Sequence, residues 1–328
     1  MRASDLPRLH PDVGSAARTH RFTAMASRIT VQLPAHQADA GELFEAVESL
    51  FASVERDCSR FVPDNDLDRL NRSGVDWCEV SPACFAVVAE AYLTYVRTGG
   101  RFDPRVLTAL KAIGYDRSFA FADKPERTPA APELADFATA EQVWRPEFDL
   151  AGSRIRVGPH PIDLGGIGKG FTLARASELL APTAQRYLIE AGGDCVLGGS
   201  GPDGTGWRVG VEHPLGESGP IAVLRLSDTA CATTSVRYRH WRAGGRAVHH
   251  LIDPRTGAPG GAGLASVTVI DTDPAAAEVW TKLLFLAGDE GIAEQAERLG
   301  VPALWVTDTG VLHVNEPAEP SVEWRADR

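Results

Sequence analysis

The chain is poor in lysine and has no long apolar run. Its only lysines are Lys111, Lys124, Lys169 and Lys282, and arginine supplies the rest of the 33 basic residues. No run approaches the roughly 18 apolar residues that a membrane-spanning helix requires, so we predict no membrane span. Residues 1–20 lack the apolar core of a secretory signal peptide. The sequence therefore predicts a cytoplasmic protein.

Acidic residues outnumber basic residues by 44 to 33, which gives a net charge of −11. A nucleic-acid-binding protein is expected to carry a basic surface instead, so we predict no nucleic-acid partner. The five cysteines form no CxxC pair and no zinc-binding spacing. Such a pattern is typical of reduced, buried thiols in a cytosolic protein.

Hydrophobic periodicity predicts helices first and then strands with helices inserted among them. Helical patterns cover residues 39–61, 81–98, 106–113, 168–180, 274–286 and about 290–299. Strand patterns cover residues 21–33, 153–157, 186–190, 207–212, 221–226, 246–252 and 264–270, and a closing hairpin covers 301–306 with 311–314. This order is typical of an α+β fold.

We expect one large domain at residues 21–316. A disordered tail is expected at residues 1–20 and a short tail at residues 317–328. Residues 116–140 are rich in proline, alanine and charge, which predicts a surface excursion within the domain. Ser81 is a predicted helix N-cap, because its hydroxyl can accept a free N–H of the first turn.

The segment from Asp163 to Gly170 (DLGGIGKG) precedes a predicted helix. Its glycines allow close backbone approach to a ligand, and the free N–H groups of a helix N-terminus favour an anion. Lys169 adds a cation at the same place. The segment is not a P-loop, because Gly170 follows the lysine where Ser or Thr is required. Taken alone, the segment is also compatible with an ordinary turn.

Five segments in a fixed order carry most of the functional information. They are residues 58–61 (CSRF) running on to 70–71 (LN), 100–104 (GRFDP), 163–170, 191–194 (AGGD) and 249–257 (HHLIDPRTG). This ordered set resembles the ApbE family of flavin transferases, the FAD:protein FMN transferases, over residues 22–314. The resemblance implies an ApbE-like, T-fold-like α+β domain, in which a helical N-terminal part packs on a mainly antiparallel sheet.

The resemblance also implies a reaction on FAD. The FMN half would pass to a Thr or Ser hydroxyl of an acceptor protein, and AMP would be released. Neutralised phosphate charge and a base for the attacking hydroxyl are the requirements of such a step. The cofactor-binding residues implied are Met25, Asp163, Gly165, Gly166, Lys169, Gly192, Gly193, Asp194, Thr234 and His250.

His250 is the candidate general base, because an imidazole has an ordinary pKa near neutrality and matches the family's catalytic histidine. Asp253, also assigned to the catalytic group, either holds this imidazole or shapes the turn that follows. The alternative for His249 and His250 is a pair of strand-end histidines, one facing in and one out.

The family's Mg²⁺ ligands are a backbone carbonyl, an Asp and a Thr, and they fall here on Gly166, Glu278 and Lys282. A protonated lysine has no lone pair to offer a metal. Three interpretations follow: Lys282 supplies its own cation and pairs with Glu278, or a metal binds through other oxygens, or transfer is lost while flavin binding remains. A one-residue slip onto Thr281 would instead make Glu278 and Lys282 an ordinary surface pair.

A second departure lies in residues 232–237, where Ser235 replaces a glycine and Val236 an acid. Arg237 and Arg239 add positive charge that is suited to phosphate. Two alternatives to transfer therefore stay open. One is an FAD-binding protein without transferase activity, and the other is an FAD pyrophosphatase that releases FMN and AMP.

Overall fold

The computed structural model describes residues 17–117, 142–326 and the short strand at 126–127. The helices are α1 (Ala40–Cys58), α2 (Asp66–Ser73), α3 (Pro82–Arg97), α4 (Leu107–Ala112), α5 (Gly168–Leu180), α6 (Pro274–Leu286) and α7 (Gly288–Leu299), with a 3-10 helix at Glu316–Ser321. The predicted excursion at 116–140 falls almost entirely outside the described residues. Within the described part, no helix is both long and apolar enough to cross a bilayer.

The strands are β1 (Ala17–Ala24), β2 (Ser27–Pro34), β3 (Cys78–Glu79), β4 (Glu126–Arg127), β5 (Glu147–Asp149), β6 (Arg154–Arg156), β7 (Tyr187–Ala191), β8 (Asp194–Gly198), β9 (Trp207–Glu212), β10 (Pro220–Leu226), β11 (Thr229–Ser235), β12 (His240–Ala243), β13 (Arg246–His249), β14 (Ile252–Asp253), β15 (Ala258–Pro259), β16 (Leu264–Asp271), β17 (Ala303–Thr307), β18 (Leu312–Val314) and β19 (Val322–Arg325). Most strands lie between α5 and α6, where β7 to β16 follow one another without a helix.

The central sheet has eight strands in the order β1-β2-β7-β8-β11-β16-β17-β18. Every neighbouring pair in it is antiparallel. The α+β class and the mainly antiparallel sheet are therefore confirmed. Helices α5 and α6 pack against each other and against β8, and α6 also packs against β11. Helix α1 packs against α3 and α5.

Both faces of the sheet are covered, and strand alternation explains which residues face which layer. Ile189 and Val196 pack with the residues of α1 and α5, whereas Leu188 and Leu197 pack with those of β9 and β10. This double burial explains why β7 and β8 are apolar at successive positions. The core therefore lies on either side of β7 and β8, and the ends of these strands reach the candidate site.

Several expected boundaries are corrected. The predicted strand at 21–33 is the hairpin β1–β2, and the expected tail at 1–20 overlaps β1, which begins at Ala17. The expected C-terminal tail contains β19, which pairs with β10 and adds Val322 to a hydrophobic cluster. By contrast, α5 and α6 have the predicted bounds, and the Ser81 hydroxyl accepts the Cys84 N–H at 3.2 Å as a helix cap.

Candidate functional site

A cavity of about 800 Å³ opens beside the ends of β7 and β8, a volume in the range of about 300–1,000 Å³ typical of ligand sites. It is lined by the end of α1, residues 163–170 (called the glycine segment below), β11, the β13–β14 connection and α6. Nearly all predicted site residues lie on its wall, namely Met25, Asp163, Gly165, Gly166, Lys169, Gly192, Gly193, Asp194, Thr234, His250, Glu278 and Lys282. The exception is Asp253.

Two adjacent hairpin turns bring the backbone to the cavity. Met25 and Ala26 join β1 to β2 with φ of 52° and 54°, and Gly192 and Gly193 join β7 to β8 with φ of 62° and 100°. Since β2 pairs with β7, the two turns lie side by side. A Cβ on Gly192 would lie 2.5 Å from the Ser27 Oγ, so the turns pack too closely for any side chain at position 192.

Asp163 holds the glycine segment in place. Its Oδ2 accepts the Gly165 N–H at 3.2 Å, and its Oδ1 lies 3.0 Å from the Arg60 Nε. Both contacts involve protein groups, so Asp163 fixes the loop. At the start of α5, a Cβ on Gly170 would lie 2.6 Å from the Pro274 carbonyl oxygen. Helix α6 therefore approaches closely enough to present side chains to the same loop.

Four charged side chains form a buried cluster that we call the ionic quartet: Lys169, Asp194, Glu278 and Lys282. Lys169 binds Asp194, and its Nζ lies 3.2 Å from the Glu278 Oε1. The Lys282 Nζ lies 3.2 Å from the same oxygen and 3.1 Å from the Glu278 carbonyl oxygen. Glu278 is only 2% exposed. The quartet joins α5, β8 and α6, and its two positive and two negative charges cancel.

Backbone N–H groups complete the bonding of the two carboxylates. The Glu278 Oε2 accepts the Gly170 N–H at 2.7 Å, and the Asp194 Oδ1 accepts the Thr233 N–H at 3.0 Å. Burial alone would raise the pKa of Glu278, but Lys169 and Lys282 outweigh it and lower this pKa to about 2. Burial opposes a charged Lys169 too, yet Asp194 and Glu278 raise its pKa above the usual value. These groups stabilise one another as ions.

Lys282 differs from Lys169, because burial lowers its pKa more than Glu278 raises it. Its carbon chain packs on the glycine segment, where a Cβ on Gly166 would lie 3.6 Å from the Lys282 Cε. Gly166, Glu278 and Lys282 are thus brought together, as the resemblance implies, but with an ammonium among them. A Mg²⁺ ion, which prefers oxygen ligands, would meet a like charge there. The residues present do not fit this ion.

Thr281 does not take the place of Lys282 in the cavity. It is fully buried, its hydroxyl donates to the Glu278 carbonyl oxygen at 2.7 Å, and it lies 2.7 Å from the Thr234 hydroxyl. Both of its hydrogen-bonding contacts are therefore internal. The described residues also contain no group of three or more His, Cys, Asp and Glu side chains that could hold a metal. The interpretation of Glu278 and Lys282 as a surface pair is wrong, since both are largely buried.

His250 lies on the cavity wall with its Nδ1 3.4 Å from the Arg239 carbonyl oxygen. A carbonyl only accepts, so the proton lies on Nδ1 and leaves a lone pair on Nε2. Burial, with the charges of Arg239, His249 and Lys282, holds the pKa of His250 well below its usual value. The expected near-neutral pKa is thus corrected downward. The imidazole is neutral at pH 7 and can accept a proton.

His249 points into the fold. Its Nδ1 accepts the Leu251 N–H at 3.2 Å, and its ring packs edge-on against Phe285 with centroids 5.8 Å apart. Burial lowers its pKa to about 4. The two adjacent histidines therefore have different surroundings, as strand alternation predicts.

Asp253 ends β14 and holds the turn that follows, so its expected catalytic place is corrected. Its carboxylate lies 2.7 Å from the Arg255 Nη2 and accepts the Arg255 N–H at 2.9 Å. Its carbonyl oxygen accepts the Gly257 N–H at 2.8 Å. It lines a smaller neighbouring cavity of about 280 Å³. Of the two roles expected for Asp253, the contacts support the shaping of the turn.

Two arginines on the cavity wall were given no definite role by the sequence. The Arg60 guanidinium lies between the rings of Phe61 and Tyr115, 4.3 and 4.2 Å from their centroids, and its buried Nη2 has no partner in the described part of the chain. Arg239 is half-buried on the wall and has no carboxylate partner there. The CSRF pattern at residues 58–61 indicated Arg60 in the sequence. Whether Arg239 has a carboxylate partner depends on residues far away in the chain, so no local pattern could show it.

Comparison with known proteins identifies the family. The ApbE family model matches residues 25–305. The chain belongs to the ApbE family. A Haemophilus influenzae relative named FAD:protein FMN transferase is 28% identical over 284 residues, which cover 83% of this chain and 81% of that protein. A relative of the same name from Rhodobacter capsulatus is 29% identical over 285 residues, covering 84% and 52% of the two chains.

Solved ApbE structures have the same fold. The crystal structure of the ApbE protein from Thermotoga maritima has a TM-score of 0.81 and 25% identity, covering 94% of this chain and 100% of that one. The flavin transferase ApbE from Vibrio cholerae has a TM-score of 0.76 and 24% identity, with coverages of 93% and 99%. The second likeness supports the fold alone.

Proposed function

We propose that this ApbE-family chain is an FAD:protein FMN transferase. It cleaves the pyrophosphate of FAD, passes FMN to a Thr or Ser hydroxyl of an acceptor protein and releases AMP. The observation that carries the proposal is the single cavity of about 800 Å³ whose wall holds the glycine segment, the ionic quartet and the neutral imidazole of His250. Relatives that cover most of the chain bear the same name.

The geometry supports a direct displacement at phosphorus. The acceptor hydroxyl attacks the FMN phosphorus while the Nε2 of His250 takes its proton. The bond from that phosphorus to the bridging oxygen breaks, and AMP leaves with the electron pair. Gly166 and the N-terminus of α5 line the same cavity, and the backbone dipoles of a helix N-terminus stabilise phosphate charge. No step is assigned to Mg²⁺, because Lys282 lies among the positions implied for its ligands.

We propose a cytoplasmic location for the reaction. All five cysteines are free thiols, and four of them are buried, as expected of a protein in a reducing compartment. The partners proposed are FAD and an acceptor protein that carries a Thr or Ser flavinylation site. A nucleic acid is not among them, because the net charge is −11.

The test is an incubation of the purified chain with FAD and a library of threonine- and serine-containing peptides. A matched library with Val at the acceptor position is the control, since valine has the shape of threonine without the nucleophile. In the hydroxyl library only, we expect AMP by chromatography and a peptide mass increase equal to the mass of FMN less one water. AMP formation without a peptide adduct would contradict transfer and would indicate an FAD pyrophosphatase. Quenching of FAD fluorescence without AMP or adduct would indicate an FAD-binding protein that has no transferase activity.

A further inference from the structure

The cavity contains two fixed cations near the glycine segment that the proposed mechanism has not yet used, Lys282 and Arg239. We infer that these two side chains take, in this chain, the place of a divalent metal ion at the pyrophosphate. The inference rests on the proposed function and specifies which groups neutralise phosphate charge. Transfer of a phosphoryl group depends mainly on such neutralisation and on positioning.

The position of Lys282 is set by α6. Glu278 and Lys282 are four residues apart on this helix, so their side chains lie on one face. Both hydrogen bonds of the Lys282 ammonium go to Glu278, one to its carboxylate and one to its carbonyl oxygen. An ammonium has three N–H groups, so one remains for a ligand. Since its carbon chain packs on Gly166 and its side chain lines the cavity, this N–H group is available to a phosphate bound against the glycine segment.

Arg239 differs from its neighbour Arg237. The Arg237 Nη1 lies 2.8 Å from the Glu212 Oε1 and donates to the His213 carbonyl oxygen at 2.9 Å, so protein groups already satisfy it. Arg239 has no carboxylate partner within the described residues. Arg239 lines the same cavity as His250 and the ionic quartet. Its charge helps to lower the pKa of His250 and opposes the rise in the pKa of Lys169.

The charges on the wall explain why the side chains are sufficient. The ionic quartet is neutral as a whole, so a pyrophosphate with two negative charges gains little net attraction from it. Arg239 adds one positive charge outside the quartet, and its planar N–H groups suit phosphate oxygens. Four other arginines line the cavity. Arg28 and Arg101 are exposed to solvent, Arg60 is paired with Asp163, and Arg208 is paired with Glu323. A divalent ion would be repelled by Lys282 and by Arg239.

The first experiment measures the metal dependence of AMP formation. For the wild-type chain, we expect the rate of AMP formation in EDTA to lie within about twofold of the rate in millimolar Mg²⁺. Lys282→Thr provides an oxygen and removes the ammonium, so its rate in EDTA should fall at least tenfold and recover with Mg²⁺. Lys282→Met provides neither group and should not recover. Lys111→Met, at an exposed lysine outside the cavity, is the control and should behave as wild type.

The second experiment measures binding alone, so that it does not depend on transfer. FAD and riboflavin are titrated in EDTA by flavin fluorescence. Since hydrogen bonds to charged groups are stronger than neutral ones, Lys282→Met and Arg239→Met should each weaken FAD binding about tenfold or more. Riboflavin, which has no phosphate, should bind unchanged. Arg237→Met is the matched control and should leave FAD affinity within about twofold.

The two experiments separate failure of the inference from failure of the proposed function. Wild-type AMP formation that stops in EDTA and returns with Mg²⁺ would overturn the inference and leave the transferase intact. Absence of AMP under every condition would overturn the proposed function, and the binding experiment would still decide the inference. Equal FAD affinity in wild type, Lys282→Met and Arg239→Met would overturn the inference. FAD binding by the wild-type chain that requires Mg²⁺ would overturn it too.

Discussion

The ionic quartet and the pair formed by Arg239 and His250 lie on the same cavity wall and differ in how their polar groups are satisfied. Each carboxylate of the quartet binds lysine and a backbone N–H group. In the pair, the Nδ1 of His250 makes only a 3.4 Å contact to a carbonyl, and Arg239 has no carboxylate partner in the described residues. The quartet is bound mainly to the protein, whereas the pair is left for a ligand.

This difference separates structural from chemical roles in one site. A buried ion network is costly to desolvate and adds little net stability, but removal of one member leaves an unpaired buried charge. An unpaired base or cation in a cavity is costly as well, and a ligand can offset that cost. We therefore expect substitutions of Lys169, Asp194 or Glu278 to affect stability first, and substitutions in the pair to affect chemistry or binding first. Lys282 belongs to the quartet but keeps one N–H group for a ligand, so its substitution should affect binding as well.

The largest expected effect concerns the pair. His250→Ala should lower the rate of AMP and adduct formation by about 10²–10⁴-fold, because a positioned general base contributes a factor of that size. Affinity for FAD should change little, since the imidazole acts on the acceptor hydroxyl. The measurement is a steady-state AMP assay together with a flavin fluorescence titration.

His313→Ala is the control for this prediction, because His313 is exposed on β18 and stacks on Trp305 outside the cavity. Its activity should equal that of wild type. A His250→Ala chain that forms the adduct at more than a tenth of the wild-type rate would remove the imidazole from the mechanism.

The next effect concerns the quartet. Glu278→Ala should lower the free energy of unfolding by about 3–5 kcal/mol, because it removes the carboxylate that Lys169 and Lys282 share and leaves the Gly170 N–H without its acceptor. Urea unfolding followed by far-UV circular dichroism measures this change. The control Glu294→Ala alters an exposed acid on α7 and should stay within about 0.5 kcal/mol of wild type. Equal losses in the two variants would mean that the quartet does not hold α6 in place.

The pH dependence of stability tests whether the imidazoles are neutral. The pKa of His250 is lowered well below 6.5, and that of His249 is lowered to about 4. The unfolded chain therefore binds more protons than the folded chain below pH 6.5, so stability should fall as pH drops from there. Glu278 has a lowered pKa as well, but its loss of stability begins only below its ordinary pKa of 4.5.

Between pH 6.5 and pH 4.5, the two histidines therefore dominate the pH dependence of the free energy of unfolding. Urea unfolding at several pH values should show a falling free energy of unfolding in wild type and a flatter dependence in His249→Gln. A wild-type stability that does not fall across this interval would contradict the low pKa values of both rings.

The smallest effect lies beneath the quartet, where Thr234 meets Thr281. The Thr281 hydroxyl donates to a carbonyl oxygen, so Thr234 is the donor in the contact between the two threonines. Thr234→Val removes this hydrogen bond and should lower the free energy of unfolding by about 1 kcal/mol. Thr234→Ser keeps the hydroxyl and should lose less. Similar losses in both variants would show that the methyl group, and not the hydrogen bond, matters there.

Local signals in the sequence predicted some elements to the residue. Helix α6 follows a capping Asp273, whose side chain accepts the Ala275 N–H at 2.9 Å, and Pro274 occupies its first turn. The β1–β2 hairpin was missed because its turn residues, Met25 and Ala26, are not the glycines or asparagines that usually adopt positive φ. Strand β8 was missed because it is buried on both faces and shows no alternation.

For the site, the sequence predicted which residues line the cavity but not which charges are already paired. Lys169 meets Asp194 and Glu278, which are 25 and 109 residues away along the chain. Arg237 is bound by Glu212, whereas Arg239 has no carboxylate partner among the residues that the structure describes. Such pairings depend on the packing of β8, β11 and α6, and no local pattern encodes them. The turn role of Asp253 was one of two roles expected, and only its contact with Arg255 distinguishes them.

The most direct test of the account is a crystal structure of the chain with FAD bound, prepared in EDTA. We predict that the pyrophosphate lies against the glycine segment, with oxygens within about 3 Å of the Lys282 Nζ and of the Arg239 guanidinium. The FMN phosphorus should face the Nε2 of His250. A pyrophosphate bound outside this cavity, or one that contacts neither Lys282 nor Arg239, would contradict the account.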